Sequence, residues 1–512
     1  MQERNLTIYF TSDLHSYIYP TDYRSQEEKD LGLFKCASQF QKDGNTLVID
    51  GGDLLQGSPL GAFCHDTVGS AAQFAQIMNR CGYDYVTLGN HDFNYGMPYL
   101  DSYLNALINR MHNGMIKVVT GVRRSGKSYL IFHIFRDYLL AQGVTASHII
   151  SVALDQRKYR RYRDDPDALL DDIEASVTDG GMYYILLDEV QMMVDFEEVL
   201  NSLLHIDNVD VYVTGSNSRF LSKDVLTEFR GRGDEIHIFP LTFKEFMQVY
   251  EGDVYHGWAE YMLYGGLPLV ATMKTEEQKV NYLTRLFEET YLKDIIERHD
   301  VKKTQELDDL VNVLASAAGS LTNVPKIAAT FKTVLHSDIS VSTLRQYITY
   351  LEDAFLINKA LRYNVKGRKY IGTPVKYYFE DVGLRNARLA FRQVEETHLM
   401  ENIIYNELRS RGFSVDVGVV EKRVMVDGKS TRQHFEIDFV ANLGSLRYYI
   451  QSAFALPTAE KRAQEKQSLL EVGDSFKKII IVGDVRGVTR DEQGITTMSI
   501  YDFLLRDNAL EL

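Results

Sequence analysis

The stretch Gly121-Val122-Arg123-Arg124-Ser125-Gly126-Lys127-Ser128 matches the pattern G-x-x-x-x-G-K-[ST] at every fixed position. A β-branched run at 116–120 precedes it and an apolar-periodic stretch at 129–140 follows it, which predicts a strand, a loop and a helix in that order. The N–H groups of such a loop can surround phosphates, while Lys127 reaches the β and γ oxygens and Ser128 holds Mg²⁺. Because a chance glycine-rich turn would lack this strand and helix, we predict an α/β fold with a nucleotide site. Its binding residues are Gly121, Arg123, Arg124, Ser125, Gly126, Lys127 and Ser128.

A second motif ends another predicted strand. The apolar run at 182–187 leads directly into Asp188 and Glu189. Acids at the carboxyl end of a buried parallel strand suit Mg²⁺ binding and the activation of water. Runs at 148–152 and 211–214 predict two further strands of the same sheet. We therefore expect Asp188 to bind the metal and Glu189 to act as the general base.

Basic residues near this predicted sheet offer two candidates for an arginine that stabilises the transferred phosphate. Arg230 and Arg232 lie together in the segment 228–232. The alternative is that both belong to a solvated basic turn.

The composition is that of a soluble globular protein. The chain has 512 residues, 45% hydrophobic and 25% charged, with a net charge of −15, and this length predicts three or four domains. No stretch approaches the length of a transmembrane helix, and no apolar signal region follows Met1. We therefore expect a cytoplasmic protein with no membrane partner, whose surface as a whole does not attract nucleic acid.

The cysteines are distributed unevenly. Cys36, Cys64 and Cys81 all lie in the first hundred residues. An odd number without regular spacing argues against a disulfide framework or a zinc site. The distribution suggests that the chain joins two segments of different origin.

The N-terminal segment contains three strand-like runs, at 6–10, 46–50 and 85–88, each followed by polar residues of the metal-ligand type. Gly52-Asp53-Leu54-Leu55-Gln56-Gly57-Ser58-Pro59 and Gly89-Asn90-His91-Asp92 resemble the 5′-nucleotidase branch of the calcineurin-like metallophosphoesterases. The resemblance implies two metal ions and a hydroxide nucleophile. It also implies the roles of individual residues: Asp13 and His15 on one metal, Asp53 bridging, Asn90 on the second metal, and His91 at the leaving group.

This resemblance is incomplete. The family completes its site with later histidines in Gly-His and Gly-His-x-His motifs, and none of the 13 histidines here follows a glycine. The second metal would keep only Asp53 and Asn90, fewer ligands than such an ion normally takes. We therefore expect a truncated segment with residual affinity for Mn²⁺ or Zn²⁺ rather than an active phosphatase.

The rest of the chain, from a join near 103–108, resembles a bacterial AAA-type ATPase family with an appended domain of unknown function (DUF4143-like). The resemblance rests on the glycine-rich loop, on Asp188-Glu189, and on the segments 214–218, 239–246 and 264–268. It implies ATP and Mg²⁺ at Lys127 and Ser128, Asp188 on the metal, Glu189 as base and Asn217 as sensor. It also favours Arg232 as an arginine finger that acts across a subunit interface, which would require a homo-oligomer.

Helical periodicity dominates from 276 to 350, and the segment 323–376 predicts a winged helix. Its helices are expected at 325–335 and 340–351, with a wing hairpin at 363–369. Nine Lys and Arg against three acids give this segment a net charge of +6. Such a basic patch suits contact with a DNA backbone, but winged helices also dock on proteins, and both partners stay open.

In the last 120 residues, a predicted helix that contains Glu401 precedes a strand with Asp438 and then a strand with Gln451 and Ala453. This order resembles the PD-(D/E)xK nuclease fold. The resemblance implies that Asp438 binds Mg²⁺ and that Gln451 is a tolerated variant of the next position, whereas Ala453 stands where a lysine should orient the nucleophile. We expect a relic of the nuclease fold that serves as a binding platform.

These observations predict a multidomain α/β protein. Its parts are a partial metallophosphoesterase segment, a P-loop AAA core with a parallel sheet, a winged helix and a nuclease-like domain, with expected boundaries at 1–105, 106–270, 271–390 and 391–512. The predicted function is ATP hydrolysis with Mg²⁺, coupled to a DNA or protein partner. The alternatives are a metal-dependent 5′-nucleotidase and a binding module that ATP switches without being hydrolysed.

Overall fold

The computed structural model describes residues 6–12, 14, 17–21, 29–43, 45–50, 72–86, 98–215, 232–426, 429–484 and 487–512. The chain divides into two compact units, 1–102 and 103–512. The predicted boundaries at 270/271 and 390/391 lie inside the second unit and stay predictions. The helix Pro98–Ile108, here α3, contains the point of division.

The first unit is built on a parallel sheet of three strands in the order β1-β2-β3. The strands are β1 (Thr7–Thr11), β2 (Thr46–Asp50) and β3 (Tyr85–Val86). Two helices, α1 (Leu33–Ala37) and α2 (Ala72–Arg80), belong to the same unit. The three predicted strands are therefore confirmed. A small core fills this unit, formed by Ile18, Leu33, Val48, Met78 and Tyr83.

The second unit begins with a five-stranded sheet in the order β5-β6-β7-β4-β8, in which every pair of neighbours is parallel. Its strands are β4 (Ile116–Thr120), β5 (Ile149–Ala153), β6 (Tyr183–Asp188), β7 (Val209–Thr214) and β8 (Gly233–His237). Strands β4 and β6 are buried along their whole length, as expected for a parallel sheet covered on both faces. The predicted α/β class with a parallel sheet is confirmed.

Helices cover this sheet and extend it. The helix after the glycine-rich loop runs from α4 (Lys127–Tyr129) through a π-helical stretch (Leu130–Phe135) to α5 (Arg136–Ala141). The other helices of this part are α6 (Arg160–Asp164), α7 (Pro166–Ser176), α8 (Phe196–Leu203) and α9 (Phe243–Val249). Short 3₁₀ turns cover Ala146–His148, Arg157–Tyr159 and Val190–Met192.

A helical layer follows, as the periodicity predicted. Its helices are α10 (Val254–Tyr264), α11 (Pro268–Ala271), α12 (Glu276–Arg285), a π-helical stretch (Leu286–Leu292), α13 (Lys293–Arg298), α14 (Thr304–Ser316), α15 (Val324–Val334) and α16 (Val341–Asp353). Side chains cap several of them. Asn323 accepts a hydrogen bond from the Lys326 N–H at the start of α15, and Ser340 accepts one from the Thr343 N–H at the start of α16.

An eight-stranded sheet completes the second unit, in the order β10-β9-β11-β12-β13-β14-β16-β15. Its strands are β9 (Ile357–Asn364), β10 (Lys369–Phe379), β11 (Ser414–Val426), β12 (Lys429–Leu443), β13 (Leu446–Ala453), β14 (Lys477–Val482), β15 (Thr489–Arg490) and β16 (Ile495–Ser499). The helices of this part are α17 (Val382–Arg388), α18 (Glu396–Ser410), α19 (Ala459–Leu470) and α20 (Ile500–Leu505).

The hairpin predicted over 363–369 is longer than expected and has different neighbours. It spans β9 and β10 and joins the sheet of the C-terminal strands through a short parallel pairing of β9 with β11. The sequence pattern missed this because pairing between distant strands leaves no local signal. Among the described residues, no helix is long and apolar enough to span a bilayer.

Candidate functional site

The glycine-rich loop lies between β4 and α4, and its glycines are required by its shape. Gly121 has φ 135° and Gly126 has φ 101°, both in the region that favours glycine. A Cβ on Gly121 would lie 2.2 Å from the Ile238 carbonyl oxygen. The loop therefore closes tightly, and the predicted binding residues from Gly121 to Ser128 share one turn.

Lys127 is buried at the start of α4. Its Nζ donates hydrogen bonds to the carbonyl oxygens of Gly121 at 2.8 Å and Val122 at 2.9 Å. Burial lowers the pKa of Lys127 to about 8, although the nearby carboxylates of Glu189 and Asp188 act in the opposite direction. The ammonium thus lies inside the loop that the sequence predicts to surround phosphates.

Asp188 lies at the carboxyl end of β6 and is nearly completely buried. Its Oδ1 accepts a hydrogen bond from Ser128 Oγ at 2.9 Å and another from Thr214 Oγ1. Burial raises the pKa of Asp188, and the bond from Thr214 opposes that rise. The hydroxyl and carboxylate oxygens of Ser128 and Asp188 are hard donors of the kind that Mg²⁺ takes, so these two residues fit the ion.

Glu189 follows Asp188 in a backbone conformation that is uncommon for its residue type. Its φ is 53°, and its N–H donates a hydrogen bond to Thr214 Oγ1 at 3.1 Å. Gln191 Nε2 donates a hydrogen bond to the Glu189 carboxylate. Sequence reasoning assigned no role to Thr214 or Gln191. Thr214 is the last residue of β7, which pairs with β6. Knowing that these two strands are neighbours would have predicted that Thr214 lies beside Asp188 and Glu189.

The arginines are distributed differently. Arg123 forms an ion pair with Asp294 at 2.9 Å, and its carbonyl oxygen accepts a hydrogen bond from Tyr291 at 3.1 Å. Arg124 adopts φ 68° within the loop. Arg232 precedes β8, and its carbonyl oxygen accepts a hydrogen bond from Ile116 N–H, at the start of β4. Since five residues of parallel strand span about 16 Å, the structure does not bring Arg232 to the loop of its own chain.

Several predicted site residues lie outside the described part of the chain. These are Asn217 and Arg230 near the ATP site, and Asp13, His15, Asp53, Asn90 and His91 in the N-terminal segment. Within the described ranges, no group of three or more His, Cys, Asp or Glu side chains is arranged to hold a metal ion.

Comparison with known proteins matches two family models to the second unit. The model described as "AAA domain" matches residues 113–247, and one described as "Domain of unknown function (DUF8612)" matches residues 255–395. An uncharacterized protein of Haemophilus influenzae is 34% identical over 411 residues, which cover 79% of this chain and 98% of that protein. The chain belongs to the same family as this Haemophilus influenzae protein, and its residues 113–247 match the AAA domain. An uncharacterized protein of Methanocaldococcus jannaschii is 27% identical over 367 residues, or 69% of this chain and 77% of the relative.

A shorter similarity links this chain to nucleotide phosphoesterases. The trifunctional nucleotide phosphoesterase protein of Bacillus subtilis is 36% identical over 132 residues, which cover 23% of this chain and 9% of that protein. The chain thus spans less than a tenth of that relative.

Solved structures match this chain at lower sequence identity. Aeropyrum pernix ORC1 in complex with DNA has a TM-score of 0.25 and 13% identity, covering 56% of this chain and 91% of ORC1. A DNA polymerase III gamma subunit-related protein of Thermotoga maritima has a TM-score of 0.24 and 11% identity, covering 50% and 99%. These scores are too low to support an argument about function.

The second unit of this chain also brings together two acids of its last 120 residues. Glu401 and Asp438 are both nearly buried and face Lys376. Asp438 Oδ2 accepts a hydrogen bond from the Ser452 N–H at 2.8 Å. Ala453 is buried in the core. Because its side chain is a methyl group, this position supplies no ammonium. Lys376 was missed because it lies 62 positions before Asp438, on a strand assigned to the winged helix.

Proposed function

We propose that this protein binds ATP with Mg²⁺ at the loop Gly121–Ser128 and hydrolyses it. The observation that carries the proposal is the meeting of Lys127, Ser128, Asp188 and Glu189 at the carboxyl edge of the five-stranded parallel sheet, with Ser128 and Asp188 hydrogen-bonded to each other. The match to the AAA domain model supports it.

In this proposal the chain's own groups divide the work. The N–H groups of the loop bind the phosphates, and the Lys127 ammonium exchanges its two carbonyl partners for phosphate oxygens. Ser128 and Asp188 would hold Mg²⁺, which supplies charge neutralisation at the β and γ oxygens. Glu189 accepts a proton from the attacking water. Its backbone N–H donates to Thr214 Oγ1, which fixes the main chain, and the hydrogen bond from Gln191 orients its carboxylate.

The test separates binding from turnover. Glu189→Gln should bind ATP normally and lose turnover by about a hundredfold or more, because the amide cannot accept the proton. Lys127→Ala should lose ATP binding itself. Fluorescent-ATP titration and phosphate release measure the two steps.

Matched controls are Glu174→Gln and Lys274→Ala, both at exposed positions of the second unit, which should behave as wild type. Wild-type turnover by Glu189→Gln would remove Glu189 from the role of base. Normal binding together with absent turnover in the wild type would favour the binding module that ATP switches without being hydrolysed.

We further propose that the protein is cytoplasmic. We also propose that the segment 323–376 contacts a partner, which is either DNA or another protein. The counted charge of +6 needs a correction, since Lys376 is buried with Glu401 and cannot reach a phosphate backbone. Lys366 and Arg368 are exposed in the turn between β9 and β10, and Lys369 is exposed at the start of β10. A homo-oligomer, in which Arg232 of one subunit serves the loop of another, belongs to the same proposal.

A second candidate function is the metal-dependent 5′-nucleotidase. It is favoured by the similarity to nucleotide phosphoesterases, and we propose that the segment retains at most metal affinity because the family's later histidines are missing.

A further inference from the structure

Four charged side chains meet in the C-terminal half of the chain. The Lys376 ammonium on β10 lies 2.8 Å from Glu401 Oε1 on α18, 2.9 Å from Glu436 Oε1 and 3.6 Å from Asp438 Oδ1, both on β12. Lys376 is 3% exposed, and Glu401 and Asp438 are each 8% exposed. The Glu436 side chain is 34% exposed, so the ammonium faces two buried carboxylates and a third at the solvent-exposed edge of the cluster.

Neighbouring groups fix the carboxylates in place. Glu436 and Asp438, both on β12, point their carboxylates at the same ammonium. Tyr378 donates a hydrogen bond from its hydroxyl to Glu401 Oε1 at 2.7 Å, and it stacks on Tyr405 with ring centres 4.2 Å apart. The Ser452 N–H donates to Asp438 Oδ2 at 2.8 Å. The cluster is thus built by three strands and a helix rather than by adjacent residues.

The electrostatics favour a cation at the centre. Carboxylates that converge in a buried place repel each other. Burial, with the Glu401 carboxylate beside it, raises the pKa of Asp438 to about 7. Burial acts to lower the pKa of Lys376, but the carboxylates of Glu401, Asp438 and Glu436 together raise it above its ordinary value. The ammonium therefore stays charged and stabilises its three partners.

The nuclease resemblance implies Mg²⁺ at Asp438, and the residues around this carboxylate do not fit the ion. The Lys376 ammonium is hydrogen-bonded to Glu401 Oε1 and forms an ion pair with Asp438 Oδ1 at 3.6 Å, so it lies beside the oxygens that would have to bind the metal. A divalent ion could bind there only by displacing the buried Lys376 ammonium, whose positive charge repels it.

We propose that Lys376 is a built-in cation, which fills the carboxylate site of Glu401, Glu436 and Asp438 in place of a divalent metal. This part of the chain then folds and presents its surface without bound metal, independently of the ATP site. Ala453 and Lys376 are two aspects of one rearrangement: the lysine of the nuclease pattern is absent, and another lysine neutralises the acids.

The first experiment counts Mn²⁺ bound per full-length chain by electron paramagnetic resonance. Asp438→Asn in the wild-type background should leave the number unchanged, because the cluster holds no metal. Any Mn²⁺ bound elsewhere is common to both proteins and cancels. A loss of one Mn²⁺ in Asp438→Asn would overturn the proposal, and this comparison does not depend on removing the lysine.

The second experiment removes the ammonium. Lys376→Met should bind one Mn²⁺ more than wild type, and Lys376→Met/Asp438→Asn should lose it again. If Lys376→Met folds only when Mn²⁺ is present, the metal has replaced the ammonium, which supports the proposal.

Lys376→Met that gains no Mn²⁺, or that fails to fold even with Mn²⁺, contradicts the proposal. The matched control is Lys359→Met, since Lys359 also faces a carboxylate, Glu352 at 3.5 Å, but on the exposed side of the same hairpin. It should gain no metal.

Discussion

The surroundings of Lys127 set its proton affinity. Its pKa of about 8 results first from burial, so part of the population loses the ammonium charge within the range in which enzymes are assayed. Folded Lys127 has a lower pKa than an unfolded lysine. Its burial therefore costs stability below pH 8, and this cost is relieved as the pH rises from about 8 to 10.5.

ATP affinity should change in the opposite direction to stability. Only the protonated lysine attracts the phosphates, so we expect affinity to fall about fivefold between pH 8 and pH 9 while the ligand-free protein becomes no less stable. Titration of ATP at each pH, beside thermal unfolding without ATP, measures both. Lys127→Arg, whose guanidinium stays charged, should show a flat profile, and an equally steep decline in this variant would assign the effect to another group.

Buried lysines mark the limit of sequence reasoning at this scale. Lys117 interrupts the apolar run 116–120, which was correctly predicted as a buried strand, and it is fully buried against Asp210. The partner lies on β7, 93 positions away. Lys127 and Ser128 could be predicted because one local motif contains them. The partners of Lys117 and Lys376 could not, because only the strand pairing brings them close.

Among the elements, the hairpin β9–β10 carries three exposed cations of the basic patch, Lys366, Arg368 and Lys369. Lys366→Glu/Arg368→Glu/Lys369→Glu should weaken DNA binding and leave ATP hydrolysis unchanged. The binding itself should fall steeply with salt, because it would depend on released counterions. Gel shifts at several salt concentrations measure this.

The control for the hairpin variant reverses three other exposed lysines, Lys274, Lys293 and Lys302. If both triple variants lose DNA equally, the effect is one of total charge. If no complex forms even at low salt, the hairpin is better assigned to a protein partner.

The elements of the nuclease-like part predict a second result. Plasmid and branched DNA should survive incubation with Mg²⁺ or Mn²⁺, with or without ATP, because Ala453 supplies no ammonium and Lys376 is held among carboxylates. Agarose gels report this directly. Cleavage that disappears in Asp438→Ala would mean that Lys376 orients a nucleophile after all.

The order of the strands could be predicted only in part. Periodicity located β4, β6 and β7 to within two residues, since buried parallel strands give continuous apolar runs. The hairpin was placed too short, because its second half, from Ile371 to Phe379, has a register shift against β9. A local pattern carries no information about such a shift.

At the scale of the whole molecule, the two units should differ in activity. Residues 1–106 carry six Lys and Arg against thirteen acids, and the histidines that complete a two-metal site are missing from the sequence. We expect no phosphate release from AMP with Mn²⁺, Zn²⁺ or Mg²⁺. Release that Asp53→Asn abolishes, and that Lys127→Ala leaves intact, would establish the nucleotidase instead.

The contact between His237 and Glu380 has a consequence for local opening of the hairpin β9–β10. His237 Nε2 lies 2.7 Å from Glu380 Oε1, at the end of the hairpin, while its Nδ1 lies 3.0 Å from Thr120 Oγ1, beside Gly121. Asn358 donates a second bond to the same carboxylate. His237 therefore links Thr120, at the end of the strand that leads into the loop, to Glu380, at the end of the hairpin. Amide hydrogens of 357–379 should exchange with deuterium more slowly once nucleotide occupies the loop.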